Sequence, residues 1–133
     1  MTGRAEIVAA IEAYCRAQSE QDAAAWAGLY AEDVVYEDPV GIRQVQGKDQ
    51  VVGPIWNDIV RNQVRIWLTD TVIVCGSEAL AIMACEMGPP ERRQRLAPIV
   101  DQFRFDAAGR IVSVRGFYNL PERPGAVSGQ TPA

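Results

Sequence analysis

Tyr30-Ala-Glu-Asp-Val-Val-Tyr-Glu-Asp-Pro39 is the stretch at which this chain changes its period. Before it, apolar residues recur at helical spacing; within it, they alternate, and after one more helical stretch alternation takes over. Val34, Tyr36 and Asp38 share one parity of the strand it opens, Val35 and Glu37 the other, and Pro39 ends its use as a ladder donor. Asp38 thus stands at a strand end, directly before a proline. A carboxylate there is either a turn residue or a base.

Upstream, Ile7, Ile11, Tyr14 and Gln18 follow at spacings of four, three and four, which puts them on one helical face with Val8 and Cys15 beside them. Asp22 is placed to cap a second helix over Ala23 to Tyr30, with Trp26, Leu29 and Tyr30 turned to the core. Downstream, 40–47 reads as loop. Asp49 to Asn62 reads as a helix that Gly53-Pro54 should kink or restart, with Pro54 in a first turn. Strands follow over 64–68, 71–74, 79–87, 94–105 and 110–118, separated by Gly-, Pro- and Asp-rich turns. Helices first and hairpin-linked strands after them predict an α+β fold, a curved antiparallel sheet packed against N-terminal helices around a cavity. One domain over 1–120 is expected, followed by a Pro/Gly/Ser-rich tail over 121–133 that should fray.

A chain of 133 residues suits one domain, able to bury roughly two-thirds of the surface that its unfolded form exposes. Its 48% hydrophobic and 23% charged residues are those of an ordinary globular protein. A net charge of −4 and a single lysine, Lys48, argue against nucleic acid as a partner. Arg92, Arg93 and Arg95 form the one basic cluster, read as a solvated hairpin tip. Cys15, Cys75 and Cys85 lack metal-ligand spacing and fit free thiols in a reducing cytoplasm. No stretch approaches the roughly 20 apolar residues of a membrane span, and the N-terminus lacks the apolar segment of a signal peptide. No histidine is present, so acid–base chemistry near neutral pH must rest on carboxylates, Tyr, Cys or Lys.

Asp101 interrupts an apolar parity, Ala97, Ile99, Asp101, Phe103 and Phe105. If that face is buried, the carboxyl is either salt-bridged to an arginine for packing or held neutral with a raised pKa. Tyr14, on the inner face of helix one, is by itself an ordinary core aromatic, and Tyr30 and Tyr36 are core or rim residues. Together the tyrosine, the inward carboxyl and the strand-end carboxyl can converge on one apolar cavity. An ionised Asp38 could then move a proton, while Tyr14 and a neutral Asp101 donate hydrogen bonds to an oxygen that becomes negative. That equipment suits enolisation beside a carbonyl, and no cofactor or metal is called for. A hydrolase would need an activated nucleophile, for which no base partner is visible.

At Tyr14, Tyr30-Ala-Glu-Asp-Val-Val-Tyr-Glu-Asp-Pro-Val-Gly41 and Asp101-Gln-Phe-Arg-Phe-Asp-Ala-Ala-Gly-Arg-Ile111, the chain resembles the bacterial Δ5-3-ketosteroid isomerases. These belong to a cone-shaped α+β superfamily that also holds the nuclear transport factor and small polyketide cyclases. The resemblance implies a conical apolar cavity, a small ketosteroid substrate and a homodimer. It implies that Asp38 carries a proton from C4 to C6, that Tyr14 and protonated Asp101 hold the 3-oxygen, and that Tyr30 supports Tyr14. Val64, Ile99, Val114, Gly116 and Tyr118 match positions lining the steroid pocket. A further supporting tyrosine of the relatives falls at Ile55, and Gln18 and Pro54 fall where relatives are more apolar. The alternatives are a polyketide-cyclase-like or epoxide-hydrolase-like enzyme on the same scaffold, and a non-catalytic module that binds an apolar ligand or a protein.

Overall fold

A computed structural model describes residues 2–120; the expected C-terminal tail lies outside the described residues. Helix α1 (Arg4–Ser19) buries Ile7, Ile11, Tyr14, Cys15 and Gln18, so the inner face expected from their spacing forms. Helix α2 (Ala23–Ala27) starts at Asp22, whose Oδ1 accepts the Ala25 N–H at 3.1 Å. It ends earlier than its sequence suggests, because Tyr30 already belongs to strand β1 (Tyr30–Glu37). The core is still served: Trp26 and Tyr30 are both buried, with ring centroids 4.8 Å apart.

The expected loop over 40–47 contains a short strand, β2 (Gln44–Gln46), antiparallel to β1. Three largely exposed residues give no alternation to read. Next comes α3 (Lys48–Gln50), then a π-helical turn (Val51–Ile55), then α4 (Trp56–Arg61). Pro54 sits inside the π turn, so the expected kink takes the form of a widened turn, the usual way a helix absorbs an interruption next to a site. Pro54 is exposed, whereas Val51, Ile55, Trp56 and Ile59 are buried in the core.

The remaining strands are β3 (Arg65–Leu68), β4 (Ile73–Cys75), β5 (Glu78–Met87), β6 (Gln94–Phe105) and β7 (Ile111–Tyr118). The sheet order is β2-β1-β7-β6-β5-β3, with β4 also on β5. Every pairing is antiparallel but one. β1 runs parallel to β7, with Tyr36 aligned on Val114, while β7 is antiparallel to β6, with Val114 on Phe103 and Gly116 on Asp101. This triple register decides where the candidate site sits, since it lines up residues more than 60 positions apart.

The expected alternation of β6 holds from Ile99 to Phe105, where Ile99, Asp101, Phe103 and Phe105 are buried. It fails at Ala97, which is exposed, while Leu96 is buried instead. An irregularity in the β5–β6 register between Met83 and Cys85 is the cause, because an extra residue reverses the parity beyond it. The basic hairpin is less free than its sequence suggests: Arg93 donates to the carbonyls of Gln63 and Gly88, and Arg95 lies over the Trp67 ring. Among the described residues no helix is long and apolar enough to cross a membrane.

Candidate active site

Between the helices and the inner sheet face lies a cavity of about 780 Å³, within the range of small-molecule sites. Its buried end is formed by Tyr14, Gln18, Tyr36, Ile55, Ile99 and Asp101; exposed Ile42, Arg43, Asn62 and Gln94 stand at its rim. Tyr14, Asp38 and Asp101 therefore line one space, contributed by α1, the end of β1 and β6.

Asp38 is held from both sides. Its N–H donates to the Arg43 carbonyl at 2.9 Å, and the Val40 N–H donates to the Gly116 carbonyl at 3.0 Å. The carboxyl does not cap the turn. It lies against Gly116, where a Cβ would come within 2.7 Å of its Cγ. Continuing the parallel register two residues beyond Tyr36–Val114 puts Asp38 level with Gly116, whose antiparallel partner is Asp101. Asp38 and Asp101 thus flank Gly116 in one row, about 10 Å apart at their backbones by the ordinary strand spacing.

Their environments differ. Burial pushes the Asp38 carboxyl up to about 6, against the pull of the Arg43 guanidinium and the Tyr118 hydroxyl. Asp101 is only 2% exposed, and burial, with Asp38 adding its negative charge, raises its pKa well above the usual carboxylate range. Among the described residues no arginine pairs with it, so the packing salt bridge that its sequence allowed is not formed there. Its Oδ1 is buried without a hydrogen-bond partner. Burial thus favours the protonated form of both carboxyls, and the negative charge of Asp38 adds to that effect at Asp101.

The Tyr14 hydroxyl lies 2.6 Å from that of Tyr36, and the Tyr14 ring meets Phe103 edge-on at 5.1 Å between centroids. Burial raises both phenols well above 10, so both remain donors. The Tyr30 hydroxyl, expected to support Tyr14, is buried without a hydrogen-bond partner, and the Tyr14 hydroxyl is hydrogen-bonded to Tyr36 instead. The parity that Tyr36 shares with Asp38 was the available sign. Ile55 is an apolar part of the wall.

Of the expected pocket residues, Val64, Ile99 and Tyr118 line the cavity. Val114 does not; it is fully buried in the row beneath, between Tyr36 and Phe103. Gly116 contributes space for Asp38 instead of a wall. Arg43, unread in the sequence, reaches the Asp38 carbonyl at 3.3 Å and the Asp58 carboxylate at 2.5 Å, and Arg61 pairs with the same carboxylate.

The SnoaL-like domain family matches residues 11–114 of this chain. A steroid Delta-isomerase from Nocardioides simplex is 31% identical over 115 residues, which are 86% of this chain and 90% of the relative. A Mycobacterium tuberculosis protein solved in complex with estradiol-17β-hemisuccinate shares the fold, with a TM-score of 0.77 at 23% identity over 86% of this chain and 95% of its own. An epoxide hydrolase/cyclase-like enzyme of pyran ring formation in the polyether salinomycin gives a TM-score of 0.80 at 26% identity, covering 90% of this chain and 95% of its own.

Proposed function

The chain belongs to the SnoaL-like domain family and is a ketosteroid-isomerase-like member of it, and on that premise we propose that it converts 3-oxo-Δ5-steroids to 3-oxo-Δ4-steroids. What carries this reading is the pair of carboxyls that flank Gly116 in a single cavity, Asp38 pushed up to about 6 and Asp101 raised well above the usual carboxylate range. Ketosteroid isomerases are themselves the standing example of this division of labour, so the logic is borrowed from them.

In the proposed cycle, ionised Asp38 takes a proton from C4, beside the carbonyl. The electrons move through the enol to the 3-oxygen, and Asp38 returns the proton at C6, leaving the double bond conjugated with the carbonyl. Tyr14 and Asp101 meet the charge that develops on the 3-oxygen; the buried polar groups there already face the cavity and need no water to reorganise. Tyr36 holds the Tyr14 hydroxyl in place. Adding a 3-oxo-Δ5-steroid should produce growing conjugated-enone absorbance, and no growth with the wild-type protein would refute the assignment.

A homodimer belongs to the same proposal. The outer sheet face offers a row of Ile82, Val100 and Phe117, with Leu80 beside it, and Phe117 is 41% exposed. Sedimentation at micromolar concentration tests it, a monomer being the contrary result.

One observation favours a second reading. Arg43 bridges the Asp38 backbone and Asp58 at the cavity rim, an Asp–Arg–Asp grouping that the sequence did not disclose. Neutral Asp101 could protonate an epoxide oxygen while Asp38 activates a hydroxyl or water. Mass-spectrometric search for diol or cyclic ether products from epoxide substrates tests this alternative.

A further inference from the structure

Two non-aromatic polar side chains are buried among the described residues, Asp101 and Gln18. Asp101 has a place in the proposed reaction. Gln18 has none, yet it carries the same signature: it is 5% exposed, it lines the cavity, and its Oε1 has no hydrogen-bond partner. A carboxamide left like this is costly unless a ligand completes it.

Gln18 follows Tyr14 by one helical turn on the same face of α1, about 6 Å further along the axis. The end of that helix is clamped: the Ser19 hydroxyl donates to the Ile66 carbonyl and accepts from the Ile66 N–H, both at 2.9 Å. The cavity lining that β3 and its approach present there, Val64 and Ile66, is apolar and offers the amide no partner. An amide supplies an acceptor and two donors, which suits a hydroxyl or a ketone.

Resting on the isomerase reading, we propose that Gln18 is a specificity-determining residue that hydrogen-bonds a second oxygen on the ring body of the substrate. The preferred ligands are then ketosteroids that bear a hydroxyl or oxo group about one helical turn from the carbonyl held at Tyr14 and Asp101. Unsubstituted ring systems leave the amide unpaired and bind less well.

Calorimetric titration of the wild type, Gln18→Met and Gln18→Leu tests this. The ligands are a 3-oxo-Δ4-steroid without other ring oxygens and its derivatives with one hydroxyl at C6, C11 or C19. The expected result is that at least one derivative binds the wild type about tenfold more tightly than the parent does. That preference should vanish or invert in both variants, while the parent binds them at least as well as it binds the wild type. Equal preferences in all three proteins would overturn this inference alone. Failure of every ligand to bind any of them would overturn the ketosteroid reading, and this inference with it.

Discussion

The Asp38 carboxyl occupies the space that a side chain on Gly116 would fill: a Cβ at Gly116 would stand 2.7 Å from Asp38 Cγ and Oδ2. Gly116→Ala must therefore push the carboxyl aside, while the strand itself tolerates alanine. Because displacing a base by about 1 Å can cost about 10²-fold, turnover should fall by that order with the circular-dichroism spectrum unchanged. Retention of full activity would mean that Asp38 does not work from this position.

Asp38→Asn should lower turnover by about 10²–10⁴-fold. In the wild type, kcat/KM should rise with pH and level off above an inflection near the raised carboxyl value of about 6. Arg43→Met, which removes the positive charge that pulls this value down, should move the inflection upward. A profile flat from pH 5 to 7 would exclude Asp38 as the titrating base.

Tyr14→Phe should cost about 10²–10³-fold, as the loss of a donor to a developing oxyanion does. Tyr36→Phe removes one neutral hydrogen bond to Tyr14 and should cost about tenfold. Tyr30→Phe should change little, since that hydroxyl has no partner. Measured kcat values that reverse the order of Tyr36 and Tyr30 would show that the hydroxyl network is wired differently.

The pKa of Asp101 is raised in the folded protein, so the folded state holds a proton that the unfolded chain releases above about pH 4. Stability should accordingly decline as pH rises from about 4, by about 1.4 kcal/mol per unit from this group. Asp38 adds a decline of the same sign up to about pH 6. Asp101→Asn should flatten the curve, as read from urea midpoints at pH 5 and 7. A wild type that grows more stable over this range would contradict a protonated Asp101.

Much of this arrangement is legible in the sequence. The alternation from Ile99 to Phe105 placed Asp101 inward, and the spacing from Ile7 to Gln18 placed Tyr14 beside the same space, because both periodicities are local. What escaped was non-local or too short to leave a pattern. Strand β2 has three residues, the buried side of Leu96 depends on a register irregularity set by β5, and the bond between Tyr14 and Tyr36 joins residues 22 positions apart. The parallel pairing of β1 with β7 was equally hidden. Alternation reveals which side of a strand faces inward and says nothing about its neighbour.

That parallel pairing also orders events during synthesis. Asp38 emerges in the first third of the chain, but the backbone that receives its neighbour Val40 and the space that receives its carboxyl both belong to Gly116. A nascent chain that has reached only Arg110 holds Tyr14, Asp38 and Asp101 without the strand that aligns them. On the proposed function, competence to move a proton arrives with the last strand, so turnover would report completed topology where helix content would report only its beginning.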